Sequence, residues 1–182
     1  RTLMVDRSGD QPTQPRKPPE GGTTNGAGRL KAELQTGVLM PELPEVETMR
    51  RGIEGIVGGE ISGAQRTPCQ LKPIRITPHL TALRRRVVGQ KVTAVDRIGK
   101  RVVVRLTSGD SLVFEPRMTG LVLLADPPDE GHVRFRLDVV CCAKQVRRGS
   151  NPVRRGAIRL LYWDRRGLGS VRLLSPSELL AE

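Results

Sequence analysis

A methionine, a proline and a glutamate in succession, Met40-Pro41-Glu42, could together carry covalent chemistry. If synthesis begins at Met40 and that methionine is removed, Pro41 is left with a free secondary amine. An α-amine has a pKa of about 8, so part of it is neutral at physiological pH, where lysine is almost wholly charged. A neutral amine can attack an electrophilic carbon and form an iminium, the step that opens Schiff-base catalysis. Glu42, next in sequence, could donate or accept the protons that such a reaction moves. The same residues also suit a structural role, a proline-rich start to a helix with acids set against the positive end of its dipole. Residue types alone leave both readings open.

The elements that must position these residues follow from periodicity. Val46, Met49, Ile53, Ile56 and Val57 fall on one face of a helix expected from Pro44 to Val57, which Gly58-Gly59 stops. A second short helix is expected to open at Thr77-Pro78 and bury Leu80, Leu83 and Val87 before Gly89. The period then turns extended. Strands are expected at Lys91–Ile98, Arg101–Leu106, Ser111–Glu115, Leu121–Ala125, His132–Asp138 and Ala157–Tyr162, with Thr107-Ser108-Gly109-Asp110 as a hairpin turn. Two helices and about six strands predict an α+β fold, an antiparallel β-sandwich flanked by helices. Aromatic residues make up only 2% of the chain, so its core has to come from Val, Leu and Ile.

Residues 1–39 differ in character. Their Pro, Gly and polar content gives no period of either kind and cannot bury enough surface to offset chain entropy. They are expected to be a disordered extension upstream of a natural start at Met40. Residues 141–156 read as a basic loop insertion between two strands, holding Lys144, Arg147, Arg148, Arg154 and Arg155 and no acid. This loop suits either phosphate contact or plain solvation, and solvation is the simpler reading.

The formal net charge is +12, from 31 Lys and Arg against 19 Asp and Glu. Such an excess fits a polyanionic partner, because each neutralised phosphate releases condensed counterions; it equally fits a merely basic soluble protein. Cys69, Cys141 and Cys142 with His79 and His132 do not form a metal-ligand pattern, so no metal site is expected in this chain. The sparse, odd cysteine count argues for a reducing compartment. No apolar run approaches the roughly 20 residues that cross a bilayer. An intracellular, cytoplasmic protein without membrane contact is expected.

Longer motifs tilt the open choices. The segment Met40-Pro41-Glu42-Leu43-Pro44-Glu45-Val46-Glu47-Thr48, with Met49-Arg50-Arg51-Gly52-Ile53 after it, resembles the opening signature of the formamidopyrimidine-DNA glycosylase and endonuclease VIII family. Further similarities come in the family's order. Arg97-Ile98-Gly99-Lys100-Arg101 resembles its hairpin lysine, Met118-Thr119-Gly120 its M-S-G turn, and His132-Val133 its D-H-V segment. Tyr162-Trp163-Asp164-Arg165-Arg166-Gly167-Leu168-Gly169 resembles its D-P-R-R-F-G loop. The likeness covers residues 40–182 and leaves out 1–39 and 141–156.

This resemblance implies the family's N-terminal catalytic domain and a base-excision-repair enzyme, a glycosylase and abasic-site lyase acting on damaged double-stranded DNA as a monomer. The formamidopyrimidine branch, with oxidised purines as substrates, is favoured. By analogy Pro41 is the nucleophile at the sugar C1′, Glu42 the acid that protonates the opening sugar, and Lys100 a phosphate ligand beside the lesion that also assists with protons. Extruding a base leaves a gap that must be filled. Met118, Arg166 and Leu168 match the family's wedge, Leu168 standing where an aromatic is usual, and His132 matches a backbone-contacting histidine. Taken singly, Met118 suits a core position and Lys100 or His132 an ordinary exposed site. The family's helix–two-turn–helix and zinc finger would be expected after Glu182 and are absent from the sequence, so zinc is expected only in that segment. Other departures are Gly131 in place of Asp, Gly167 in place of the second arginine, no proline after Asp164, and Glu115-Pro116-Arg117 in place of a His-Leu-Gly-like run. The alternative is a non-catalytic damaged-DNA-binding fragment, if residues 1–39 stay attached and block the Pro41 amine. A generic basic nucleic-acid binder has less support, since two Phe, one Tyr and one Trp make no stacking platform.

Overall fold

A computed structural model describes residues 42–69, 71–141 and 156–181. The extension 1–39, Pro41 and residues 142–155 of the basic loop lie outside the described residues. The chain opens with α1 (Leu43–Gly52), which has Pro44 in its first turn and buries Val46 and Met49. It ends sooner than the periodicity predicts. Ile53 leaves helical geometry, and a 3-10 turn at Glu54–Ile56 keeps Ile53 and Ile56 wholly buried. The second helix, α2 (Leu80–Val87), buries Leu83 and Val87, with the His79 ring accepting from the Thr81 N–H. A third, α3 (Pro176–Leu180), opens with a capping box between Ser175 and Glu178.

Two sheets form the sandwich. One has the order β1-β7-β8-β6, from Glu60–Arg66, Val133–Cys141, Gly156–Asp164 and Gly120–Leu123. The other has the order β2-β9-β5-β4-β3, from Arg75–Thr77, Ser170–Leu174, Ser111–Glu115, Arg101–Leu106 and Val92–Ile98. All described pairings are antiparallel except β2 with β9, which run parallel at a sheet edge. The fold is the expected α+β sandwich, with three strands that periodicity does not reveal. In β1 a register shift between Ile61 and Gly63 breaks the alternation, so that Ile61 and Ala64, three apart, both reach the core. β2 and β9 are short and gain their pairing from β5 and from each other.

Between the sheets Val102, Val104, Leu112, Phe114 and Val171 face Phe135, Leu137, Val139, Leu160 and Tyr162 in one continuous core. The aliphatic expectation holds for most of that core, yet all four aromatic residues are buried in it. Phe114 lies 6.2 Å from Phe135 and 5.9 Å from Tyr162 between ring centroids, tilted contacts that tie the sheets together. On the outer face of the five-stranded sheet Val103, Val113 and Leu174 are covered with help from Leu179 of α3. No described helix is long and apolar enough to cross a membrane.

Candidate active site and nucleic-acid interface

The strand order gathers several loops at one end of the sandwich. β3 and β4 turn through Gly99 and Lys100, since Ile98 pairs with Arg101. Gly99 takes φ 55°, a value the first central position of so tight a hairpin favours and glycine adopts freely. Glu115 at the end of β5 pairs with Ser170 at the start of β9, and its carboxylate meets Arg101 at 3.0 Å. The loops 116–119 and 165–169 therefore leave the sheet beside the Lys100 turn. In the other sheet Gly120 pairs with Asp164 and Val133 with Trp163, which brings the His132 turn to the same end.

Glu42 occupies the N-cap of α1 but does not cap it with its side chain. Its carbonyl accepts the Val46 N–H at 3.1 Å, while its carboxylate reaches across to Lys100, with Oε2 and Nζ 3.2 Å apart. Two residues matched by the resemblance are thus neighbours in space. What holds them so is a charged clamp between α1 and β3. Glu47 accepts from Arg50, Arg51 and Arg97, and Arg50 also donates to the Val95 carbonyl at 3.3 Å. The Arg50 guanidinium, helped by Arg51 and Arg97, holds the Glu47 carboxyl down at about 2, against a usual 4.5. Arg97 donates to the Gly99 carbonyl at 2.9 Å, so the clamp extends into the Lys100 turn. The Glu47–Arg97 link is absent from any sequence motif read above, because it joins a helix to a strand.

The residues matched to the family's wedge come together as well. An Arg166 guanidinium nitrogen lies 3.6 Å from the Met118 sulfur. Leu168, from the same loop, is 42% exposed. Beneath them sits Asp164, fully buried, which sequence reasoning quoted in a motif without giving it a task. Its Oδ1 accepts from the Thr119 hydroxyl at 2.9 Å and from the Arg166 N–H at 3.0 Å, and its Oδ2 from the Gly169 N–H at 2.8 Å. One carboxylate thereby fixes the 118–120 turn and the 165–169 loop together. Arg134, 2% exposed, supports the same loop from below by donating to the Asp164 and Arg165 carbonyls and to the Cys69 sulfur.

Two of the departures from the family pattern have structural counterparts. Gly167 takes φ 64°, and a Cβ there would sit 2.5 Å from the Lys72 carbonyl oxygen, so an arginine does not fit this loop path. Where Gly131 replaces the usual acid, Asp129 supplies one. Its Oδ1 accepts from the His132 N–H at 2.9 Å and lies 2.6 Å from Nδ1. Burial pushes the Asp129 carboxyl up, but the His132 contacts outweigh it and leave it below the ordinary value. The His132 ring also packs against Trp163 at 5.7 Å.

Lys100, Met118, His132, Arg166 and Leu168 thus share one end with Glu42, while Pro41 lies outside the described residues. Among the described residues no group of three or more His, Cys, Asp or Glu side chains is placed to hold a metal ion, so no zinc ligand set is offered there. Chemically, the end presents an acid paired with a lysine beside exposed Arg166 and Leu168 and a half-buried Met118.

Residues 40–171 match the family model described as formamidopyrimidine-DNA glycosylase N-terminal domain. The formamidopyrimidine-DNA glycosylase of Chloroflexus aggregans is 32% identical over 145 residues, 78% of this chain and 46% of the relative. That of Stutzerimonas stutzeri is 34% identical over 137 residues, 75% of this chain and 48% of the relative. The chain spans about half the length of these relatives. Among solved structures, wild-type Lactococcus lactis Fpg in complex with DNA containing N7-benzyl-Fapy-dG is similar with a TM-score of 0.59 and 27% identity, over 78% of this chain and 46% of that one. The same organism's enzyme bound non-covalently to DNA with an AP site gives 0.58 and 26%, over 78% and 48%.

Proposed function

This chain belongs to the formamidopyrimidine-DNA glycosylase family through its N-terminal domain, and from that premise we propose that it excises damaged bases, oxidised purines foremost, from double-stranded DNA and cleaves the resulting abasic site. The neutral amine of Pro41 attacks the sugar C1′. The C1′–N glycosidic bond breaks, the base leaves with its electron pair, and Glu42 delivers a proton to the opening sugar. The iminium formed at Pro41 then acidifies the C2′ proton, and β,δ-elimination releases the strand on both sides. Met118, Arg166 and Leu168 fill the gap left by the extruded nucleotide, and His132 and Lys100 engage the backbone around it.

The observation that carries this reading is the 3.2 Å pairing of Glu42 with Lys100 at the end of the sandwich where the wedge residues converge. The amine has to be free for the iminium to form, so the reading requires a chain beginning at Pro41. A second reading is damaged-DNA binding without catalysis, which holds if the Pro41 amine is not free.

Borohydride trapping separates the two. Protein produced from Met40, with its N-terminus verified by mass spectrometry, is offered duplexes containing 8-oxoguanine or an abasic site. A trapped adduct that Pro41→Gly abolishes supports the glycosylase-lyase. Binding that prefers damaged duplex without any adduct supports the second reading. Absence of both adduct and damage-dependent binding removes both.

A further inference from the structure

Arg117 is held at φ 50°, in the left-handed region that costs a residue with a side chain and costs glycine nothing. The loop it occupies joins β5 to β6, and Met118 follows it directly. The neighbouring Glu115 carboxylate receives Arg101 at 3.0 Å, Arg172 at 3.2 Å and the Ser170 hydroxyl at 2.7 Å, and lies 3.8 Å from Arg117. Three guanidiniums around one carboxylate leave the cluster positive. The Arg101 and Arg172 side chains are 31% and 21% exposed, whereas that of Arg117 is 62% exposed and forms the outer tip. A glycine would satisfy this turn at lower conformational cost, so the arginine's worth lies in what its side chain reaches.

We propose that Arg117 is a phosphodiester-binding residue, its guanidinium engaging a backbone phosphate of the duplex beside the point where Met118 enters it. This rests on the DNA-repair reading above and adds to it a contact that belongs to the 116–119 loop of this chain. The guanidinium fork matches two phosphate oxygens, and the half-buried Arg101 and Arg172 behind it keep Glu115 from neutralising the tip. A phosphate contact contributes to affinity irrespective of sequence and makes it salt-dependent.

The test uses the full chain and fluorescence anisotropy at several salt concentrations, with an undamaged duplex and one carrying a tetrahydrofuran abasic analogue. Arg117→Gly is expected to melt no lower than the parent, because it relieves the backbone, and yet to bind both duplexes several-fold more weakly. Its salt slope should drop by about 1. Arg117→Lys should recover the salt slope, which counts charges, but only part of the affinity, since an ammonium cannot make the two-oxygen fork. Parental affinity and slope in Arg117→Gly would overturn the proposal, as would a lower melting temperature, which would make Arg117 a structural residue. Failure of Arg117→Lys to recover the salt slope would mean that the residue's charge meets no phosphate and would overturn the assignment. If the parent itself binds neither duplex, the DNA-repair reading falls and takes this contact with it.

Discussion

Lys100 Nζ lies 3.2 Å from Glu42 Oε2, joining a β-hairpin turn to the first residue before a helix. Both side chains are about half exposed, at 43% and 56%, so the pair sits in water-accessible space and belongs to the site rather than to the core. Glu42 leaves the capping of α1 to its backbone, and Lys100 follows the glycine that makes the turn.

Separating that pair should therefore cost function without costing the fold. Exposed ion pairs of this kind contribute about 0–1 kcal/mol, so Glu42→Gln and Lys100→Ala should melt close to the parent. Glu42→Gln should suppress base excision far more than nonspecific DNA binding. Lys100→Ala should weaken binding and flatten its salt dependence. Excision kinetics and anisotropy on one set of duplexes check this, and parental activity in both variants would remove the catalytic assignment.

Acid should loosen α1 from β3. Glu47 is held at about 2 in the folded chain against a usual 4.5, so the unfolded state binds its proton first as pH falls. Stability from this group is fully present above about 4.5 and is lost as pH drops toward about 2. Glu47→Gln should lower the melting temperature at neutral pH and show a shallower decline across that window. Melting curves recorded from pH 6 down to about 2 test the sign, and identical pH profiles would contradict the clamp.

The buried carboxylate of Asp164 should matter more to the 118–120 turn and the 165–169 loop than any exposed charge. Asp164→Asn replaces one accepting oxygen by an NH2 group, which must then face either the Gly169 N–H or the Thr119 hydroxyl and Arg166 N–H. Leaving a buried donor without an acceptor costs about 1–3 kcal/mol. Urea denaturation should show that loss, and damage-dependent binding should fall further than stability alone explains. A variant as stable as the parent would mean the loop holds itself.

Packing around Gly169 offers an independent check on the same loop. A Cβ there would collide with the Tyr162 hydroxyl and lie 2.6 Å from the Glu115 carbonyl oxygen. Gly169→Ala should destabilise by about 1–3 kcal/mol, as overpacking commonly does. Tyr162→Phe removes the nearer obstacle, together with the bond that its hydroxyl donates to Glu115 at 2.6 Å. The double variant should thus be less damaged than the sum of the two singles, a coupling that a double-mutant cycle measures. Strict additivity would mean the two residues do not touch.

By itself the sequence determined what short-range chemistry can encode. Val46 and Met49 repeat at helical spacing and are buried; Arg101–Leu106 and Ser111–Glu115 emerge as strands with the bounds that alternation and the Thr107–Asp110 turn predict. The motif residues Glu42, Lys100, Met118, His132, Arg166 and Leu168 were also legible, since a family's signature is a local string. Tertiary structure decided the rest. β1 was hidden because its bulge breaks the period of two that strand recognition relies on, and β2 and β9 because five residues or fewer gain stability from neighbours rather than from pattern. The tasks of Asp164, Arg134 and Glu47 were hidden for a deeper reason. Each bonds groups brought close by strand order, and which donors a buried carboxylate or guanidinium satisfies is fixed by the fold that buries it, not by its neighbours in the chain.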